Sequence, residues 1–453
     1  MEPTQVKETQ ELFAQLLEDG SLSELTQLLR SSFPADAATF LDTVEDEKLL
    51  LTLFRRLPKD IAAECFVDMS TDTQEKLINA FSDIELKEVL DDMFADDTVD
   101  IIEEMPANVV RRILGNTPAE KRKQINELLS YPEDSAGSLM TVEYVTLKKK
   151  MTVREAFARI RQEGLNKETV YTCYVVDETR HLIGVVSVID MLIADPDADL
   201  EGIMETNVVS VNTHEDAEDV VKTFDRYDFL ALPVVDAENR LVGIVTVDDA
   251  MDVMREQNTE DIEIMAAVTP VEESYLKRGV FQIFKSRIPW LLILMVSATF
   301  TGMIISGFES ALSKMVVLTA YIPMLMDTGG NCGSQSSVTV IRALSLGDVR
   351  FSDFFKVVFK EVRVALLCAV TLGVANFLKI RFIDGMETMV ALVICITLIC
   401  GVVVSKLAGA TFPLFAKKLG LDPAVMAAPF ITTFVDAVSL LIYFFFATRI
   451  LGI

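Results

Sequence analysis

Histidine is nearly missing from this 453-residue chain: only His181 and His214 occur. Both are flanked by polar residues, so no HExxH zinc centre can form and a histidine triad has little to build on. The six cysteines (Cys65, Cys173, Cys332, Cys368, Cys395, Cys400) form no CxxC pair, and three lie in apolar segments. They read as small buried hydrophobes in a reducing compartment, not as disulfides or zinc ligands. No GxxxxGK[ST] sequence is present, which excludes a P-loop motor. The N-terminal stretch is acidic and polar, so no signal peptide is expected. With no nucleophile–base pairing visible, an enzyme is the least supported class.

Basic charge is scarce in one part of the chain only. The net charge is −27. From Ile288 onward there are 12 Lys/Arg and 9 Asp/Glu, against 29 and 59 before it. A strongly acidic part therefore precedes a weakly basic, apolar one. Such an acidic part repels nucleic acid and attracts cations, although plain solubility explains it equally well.

Residues 1–130 read as an acidic helical domain. Apolar residues follow helix spacing, as in Leu49-Leu50-Leu51-Thr52-Leu53-Phe54. Breaks recur at Phe33-Pro34, Leu57-Pro58, Met105-Pro106 and Thr117-Pro118, which predicts stacked short helices resembling an α-solenoid. Asp96 and Asp100 fall one turn apart on one face, where like charges destabilise a helix. A cation between them removes that cost; a solvated acidic face is the other reading.

Residues 131–255 hold a repeat of about 60 residues. Leu139-Met140-Thr141, Tyr174-Val175-Val176-Asp177 and Leu182-Ile183-Gly184-Val185-Val186-Ser187 are echoed downstream. The counterparts are Ile203-Met204-Glu205, Leu232-Pro233-Val234-Val235-Asp236 and Leu241-Val242-Gly243-Ile244-Val245-Thr246. Each unit reads as strand, helix, strand, turn, strand, helix. The pair resembles tandem CBS domains. That resemblance implies a regulatory sensor, often for adenosine nucleotides, with Ser187…Asp190 and Thr246…Asp249 at the ribose. Neither of these four-residue elements carries a basic residue for phosphates. Residues 256–287, with acids at helical intervals and then Lys277-Arg278 and Lys285-Ser286-Arg287, read as a long connecting helix.

Residues 288–453 carry apolar segments near 289–308, 312–326, 364–378, 388–412 and 424–451. A bilayer core needs about 20 such residues per helix, so a domain of five spans is expected. The second segment is long enough only if the polar stretch from Pro323 to Gln335 continues it. That stretch holds Pro323, Asp327, Gly329, Gly330, Asn331, Gly333 and Gln335. Broken polar backbone at membrane depth belongs in protein or beside water, so it predicts a permeation pathway. Close helix packing through small residues is the alternative. Asp327, Asn331 and Gln335 recur at i, i+4, i+8 and share one face. Asp436 is a second deep carboxylate, with no base within two turns. Lys285 and Arg287, then Arg342, Arg350, Lys356, Lys360 and Arg363, then Lys417 and Lys418 fall on one side of five spans; Lys379 and Arg381 fall on the other. The acidic part is then cytoplasmic and the C-terminus outside.

Taken together, the chain resembles the MgtE family of magnesium channels and transporters. The resemblance rests on the Pro323–Gln335 stretch, on the helix from Asp422-Pro423 to Asp436, on Tyr131-Pro132-Glu133-Asp134-Ser135-Ala136-Gly137, and on the domain order. It implies a homodimer with its pore on the two-fold axis, in the cytoplasmic membrane, closed by cytoplasmic Mg²⁺. Asp436 is implied as the pore carboxylate. Asp96, Asp100, Asp216, Glu218, Asp228, Asp249, Asp252, Glu260 and Asp261 are implied as regulatory metal ligands, with Gln257 standing where the family can have Glu. Mg²⁺ is the implied ion, and ATP a further ligand of the CBS pair. A broader transporter of divalent cations (Mn²⁺, Co²⁺) and a membrane-anchored Mg²⁺ sensor without transport remain as alternatives; the sensor needs neither Asp436 nor the polar stretch. A CBS-regulated anion channel requires basic pore residues, and both deep polar sites are acidic.

Overall fold

The computed structural model describes residues 3–164, 167–271, 275 and 278–452. Lys277 of the basic cluster lies outside them. The chain divides into two compact units, Met1–Val253 and Met254–Ile453.

The first unit opens with ten helices among the described residues: α1 (Pro3–Glu18), α2 (Leu22–Ser31), α3 (Pro34–Leu41), α4 (Glu47–Phe54), α5 (Lys59–Val67), α6 (Thr71–Ala80), α7 (Asp83–Asp92), α8 (Ala95–Glu104), α9 (Ala107–Asn116) and α10 (Ala119–Leu128). The proline breaks become helix starts. Pro34 occupies the first turn of α3, and Pro58, Pro106 and Pro118 are the N-caps of α5, α9 and α10. There a missing N–H costs nothing, because first-turn donors have no partner within the helix. Asp46 caps α4 through Lys48 N and Leu49 N, and Ser82 with Glu85 forms a capping box on α7. Helices stack two apart in sequence: α1 on α3, α3 on α5, α5 on α7, α7 on α9, with α4 on α6 and α8 on α10. This is the expected superhelical layering. Leu50, Phe54, Phe66, Leu77, Phe81 and Ile113 fill the space between layers.

The repeat follows as β1 (Thr146–Lys148), α11 (Val153–Glu163), β2 (Thr172–Val176), β3 (Leu182–Ser187) and α12 (Val188–Ile193), then β4 (Val211–Asn212), α13 (Ala217–Tyr227), β5 (Ala231–Val235), β6 (Leu241–Thr246) and α14 (Val247–Met265). Both three-stranded sheets share one topology, a parallel pair followed by an antiparallel one. Each unit's lead-in segment crosses to the other unit's sheet. Thr141 bridges Ile244 on β6, and Glu205 bridges Val185 on β3. This exchange explains the repeated glycines. A Cβ on Gly243 would lie 2.4 Å from Met140 Sδ, and one on Gly184 would lie 2.8 Å from Met204 Sδ. The repeated methionines pack on the repeated glycines of the opposite unit.

The second unit contains α15 (Val280–Gly307), α16 (Glu309–Lys314), a 3₁₀ turn Val316–Tyr321, α17 (Ile322–Ser345), α18 (Phe354–Leu378), α19 (Thr388–Lys418) and α20 (Ala428–Leu451). Helix α19 is its centre and packs on α17, α18 and α20, while α15 packs on α20. Among the described residues, three segments are long and apolar enough to cross a membrane by length and composition: Val280–Gly307, Thr388–Lys418 and Pro423–Leu451. Two expectations are corrected. The connecting segment is not one helix over 256–287: α14 ends at Met265, Ala267 takes a left-handed φ of 55°, and α15 begins at Val280. Pro270 stops the helix, since it lacks an N–H and biases Thr269 to extended backbone. Glu263 stabilises the elbow by accepting from Val271 N (3.2 Å) and Arg278 Nη1 (2.8 Å). The Pro323–Gln335 stretch, in turn, is no break. It lies within a continuous α17, with Pro323 in the first turn, and the irregular backbone precedes it at Met315–Tyr321.

Candidate functional site

Helix α17 has two faces. Pro323, Asp327, Asn331 and Gln335 are exposed in the second unit; Gly329, Gly330, Cys332, Gly333, Ser336 and Ser337 are buried. The i, i+4, i+8 reading of the polar stripe therefore holds in the backbone. Gly329 and Gly330 depart from the pore placement expected of them. A Cβ on Gly329 would lie 2.9 Å from Val435 Cγ1, and one on Gly330 would lie 3.0 Å from Thr432 Cγ2. These glycines let α17 approach α20 closely. At Gly409 the approach is backbone to backbone: a Cβ would fall 2.1 Å from the Gly333 carbonyl oxygen. Small residues thus pack the helices, while the polar residues face away from that packing.

Asp436 lies on α20 and is half-buried. Its Oδ1 is buried with no hydrogen-bond partner, and among the described residues no ion pair offsets it. The charge that acts on it is another acid, Asp327 of the exposed stripe. Two carboxylates that repel each other in an apolar domain require a cation, water or protons.

The second acidic site lies within the first unit. Asp96, Asp97 and Asp100 on α8 come near Asp248 and Asp249 at the start of α14, with Glu143 and Glu168 from the first CBS unit. Asp68 is near Asp97 and Asp252. Burial, and then repulsion, pushes several of these carboxyls up: Asp100 to about 7, with Asp249 as its strongest repelling charge, Glu168 to about 7, and Asp249 to about 6 despite the bond it accepts from Thr246. Asp96 is pushed well above the carboxylate range, and its buried Oδ1 has no partner. Asp97 is offset in part by Lys121. Among the described residues no three His, Cys, Asp or Glu side chains are arranged to hold one ion. The cluster is a field of excess negative charge with one orphaned buried oxygen, Asp96 Oδ1, which fits a hydrated divalent cation better than a dehydrated one.

This arrangement predicts a pH dependence. An acid with a raised pKa keeps in the fold a proton that the unfolded chain has released. Its stabilising contribution is complete below the unfolded value, near 4, and is lost as pH rises through about 6 to 7. Without divalent cations, thermal stability of the acidic unit falls across that window. Added Mg²⁺ raises the melting temperature more at about pH 7.5 than at about pH 5, where protons already neutralise the cluster. An equal Mg²⁺ shift at both values would reject the cluster as a cation site.

Other expected ligands are scattered. Asp216 caps α13 and accepts from Glu218 N at 2.9 Å, and Glu218 pairs with Lys222 at 2.9 Å. Asp228 closes the far end of that 11-residue helix at φ 55°, roughly 16 Å away at 1.5 Å per residue. Asp216 and Asp228 therefore cannot share an ion within one chain. Glu260 and Asp261 lie on the last turns of α14, in the second unit. Ser187 Oγ donates to Asp190 Oδ2, and Thr246 Oγ1 to Asp249 Oδ2, both at 2.6 Å. The expected ribose residues thus sit paired at the starts of α12 and α14.

Known families match the chain in the same order. An intracellular N domain of MgtE matches residues 32–134, CBS domains match 136–197 and 199–256, and the divalent cation transporter domain of MgtE matches 322–446. The magnesium transporter MgtE of Thermus thermophilus is 37% identical over 94% of this chain and 95% of its own length. The chain belongs to the MgtE family. The Bacillus subtilis magnesium transporter MgtE is 31% identical over 96% of this chain and 95% of its own. A solved structure of the cytosolic domain of the Mg²⁺ channel MgtE in complex with ATP is 36% identical; it covers 53% of this chain and 98% of itself, with a TM-score of 0.50. The soluble part of a magnesium transporter is 31% identical, covers 56% and 99%, and has a TM-score of 0.51. The MgtE architecture is therefore the architecture of this chain: helical N domain, CBS pair, helical C-terminal region.

Within that MgtE frame, sequence reasoning missed Asp97, Glu143, Glu168 and Asp248 in the acidic cluster, and Lys406 in the membrane domain. Glu143 and Glu168 carry no local pattern; only the fold brings them to α8. Lys406 left a signal, since it is a lone charge inside the apolar run of α19.

Proposed function

We propose that this chain carries Mg²⁺ across the cytoplasmic membrane and closes when cytoplasmic Mg²⁺ loads its acidic domains. The observation behind the transport reading is the unpartnered Asp436 carboxyl, repelled by Asp327 on the exposed polar face of α17. Such a face is costly against lipid, so it calls for water and a second copy of the chain across it. A homodimer with the pathway on its two-fold axis meets both needs. Mg²⁺ dehydrates reluctantly, so Asp436, Asp327, Asn331 and Gln335 would hold its water shell rather than the bare ion. In this reading five helices span the bilayer, the acidic unit is cytoplasmic and the C-terminus lies outside.

The closing step follows from charge. Mg²⁺ at Asp96, Asp97, Asp100, Asp249 and Asp252 relieves repulsion that otherwise holds the acidic surfaces apart. The gating domains of this reading are the helical layer 1–130, the CBS pair 131–255 and the connection 256–287, ahead of the pore at 288–453. Asp216, Glu218, Asp228, Glu260 and Asp261 would act across the dimer. ATP at the CBS pair, beside Ser187, Asp190 and Thr246, is supported by the ATP-bound cytosolic domain of a relative. Membership of a transporter family argues against catalysis. Mg²⁺ flux into liposomes holding the purified protein, with Mg²⁺ varied on the cytoplasmic face, tests both steps. Flux that is absent, or indifferent to Mg²⁺ on that face, would overturn them.

The two faces of α17 predict different failures. Asn331→Leu leaves an exposed site folded and impairs flux. Gly329→Leu places side-chain atoms inside Val435 and costs more than about 3 kcal/mol through overpacking, so it fails to assemble. Size-exclusion profiles and flux, measured on both variants, separate the outcomes. Normal flux in Asn331→Leu would remove the stripe from the pathway.

A further inference from the structure

Lys406 is 5% exposed, in the middle of the most enclosed membrane helix. A charged side chain at such a depth is costly and marks function or a specific partner. Its amine donates to Ser336 Oγ on α17 at 3.3 Å. The same hydroxyl donates to Glu361 Oε2 on α18 at 2.8 Å. Ser336 is 2% exposed, so the hydroxyl is shared with no solvent. One lone pair and one proton thus link a base on α19 to an acid on α18 through the pathway helix. A second tie lies beside it, from Ser337 Oγ to the Met426 carbonyl at 2.8 Å, just ahead of the helix that carries Asp436. The charge that acts on Asp436 is that of Asp327.

We propose that buried Lys406 and half-buried Glu361, bridged by Ser336, form a clasp that fixes the rotation of α17, making Lys406 a positioning residue for ion passage. The inference rests on the reading that the exposed face of α17 lines the pathway. Ser336 follows Gln335 directly, so a hydroxyl held from behind sets where Gln335, Asn331 and Asp327 point. On the α19 side, Gly333 meets Gly409 backbone to backbone, so no side chain of either residue sets that angle; Ile431 touches Gly333 from α20 through apolar contact alone. Polar bonds are directional where small-residue packing is not.

The test uses full-length protein in liposomes and the variants Lys406→Met, Glu361→Gln, Ser336→Ala and Lys406→Met/Glu361→Gln, with Asn331→Leu as reference. Lys406→Met keeps the volume and removes the charge. It and Ser336→Ala are expected to lower Mg²⁺ flux roughly tenfold and to lower the preference for Mg²⁺ over Ca²⁺. The double variant leaves no charge unpaired and recovers stability but not selectivity. A purely structural clasp would change melting temperature and leave the ion preference of folded protein untouched. Ser336→Ala, the smallest change, carries the test where Lys406→Met does not fold. Wild-type flux and preference in Lys406→Met or Ser336→Ala, with loss in Asn331→Leu, would overturn the clasp and leave the pathway standing. Wild-type behaviour in all three would overturn both.

Discussion

Asp436→Asn is expected to remove nearly all Mg²⁺ flux while the protein folds at least as well as before. Most charge-removing changes in a membrane domain break a pair and leave its partner stranded. Here, among the described residues, no partner is left to strand: Asp436 Oδ1 is buried without a hydrogen bond, and the charge acting on it is Asp327, of the same sign. Asparagine keeps the shape, and removing one of two repelling carboxylates relieves the fold. The cost falls on the ion. A unit charge about 4 Å from a divalent cation contributes several kcal/mol of gross attraction even at an effective dielectric near 20, so flux should fall by ~100-fold or more. Asp327→Asn should cost less, because Asp327 is exposed and screened. Flux and thermal unfolding of the same preparation check both halves. Wild-type flux in Asp436→Asn would remove it from the pathway, and a collapse in stability would mean that Asp436 has a structural partner.

The reach of the sequence follows from how local each signal is. The N-domain helices were legible because proline fits the first turn of a short helix and disrupts its interior, as at Pro34, Pro58, Pro106 and Pro118. The repeat was legible because each unit must place a glycine under the other's methionine, so Gly184, Gly243, Met140 and Met204 recur at one period. The stripe on α17 was legible because helical spacing alone puts Asp327, Asn331 and Gln335 on one face. The same stretch misled in its glycines, since a glycine that opens a pathway and one that admits a neighbouring helix look alike in one dimension. The elbow at Met265–Val280 was also lost. Its acids keep helical spacing up to Glu263, and that pattern hides the stop that Pro270 sets just beyond, where Glu263 turns back to accept from Val271 and Arg278. Glu143, Glu168 and Lys406 depend on contacts between elements distant in sequence, where no spacing rule applies.

Removing residues 1–262 should leave a membrane domain that conducts but no longer closes as cytoplasmic Mg²⁺ rises. The cut is set by the elbow. It falls just before Glu263, so the bonds from Glu263 to Val271 and Arg278 survive and α15 keeps its start. It removes Asn258, to which Arg342 Nη1 donates at 3.1 Å. That bond ties the connecting helix α14 to the C-terminal end of α17, and Arg342 lies on the same exposed side as Gln335. The truncated protein therefore loses the acidic sensor and a direct hold on the pathway helix, while its own packing between α17, α19 and α20 remains. In the full-length chain, replacing Asp249 and Asp252 with Ala should shift closure to higher Mg²⁺, because it removes two charges from a cluster already short of counter-charge. Several weak sites acting together are needed: swinging a gate from 1:99 to 99:1 takes about 5.5 kcal/mol of differential binding, more than one hydrated, outer-shell contact supplies. Mg²⁺ should also protect the CBS connections from limited proteolysis in the full-length protein, with smaller protection in the Asp249, Asp252 variant. If truncated and full-length proteins show the same Mg²⁺ dependence of flux, the acidic unit is no sensor, and closure must be sought within α15–α20.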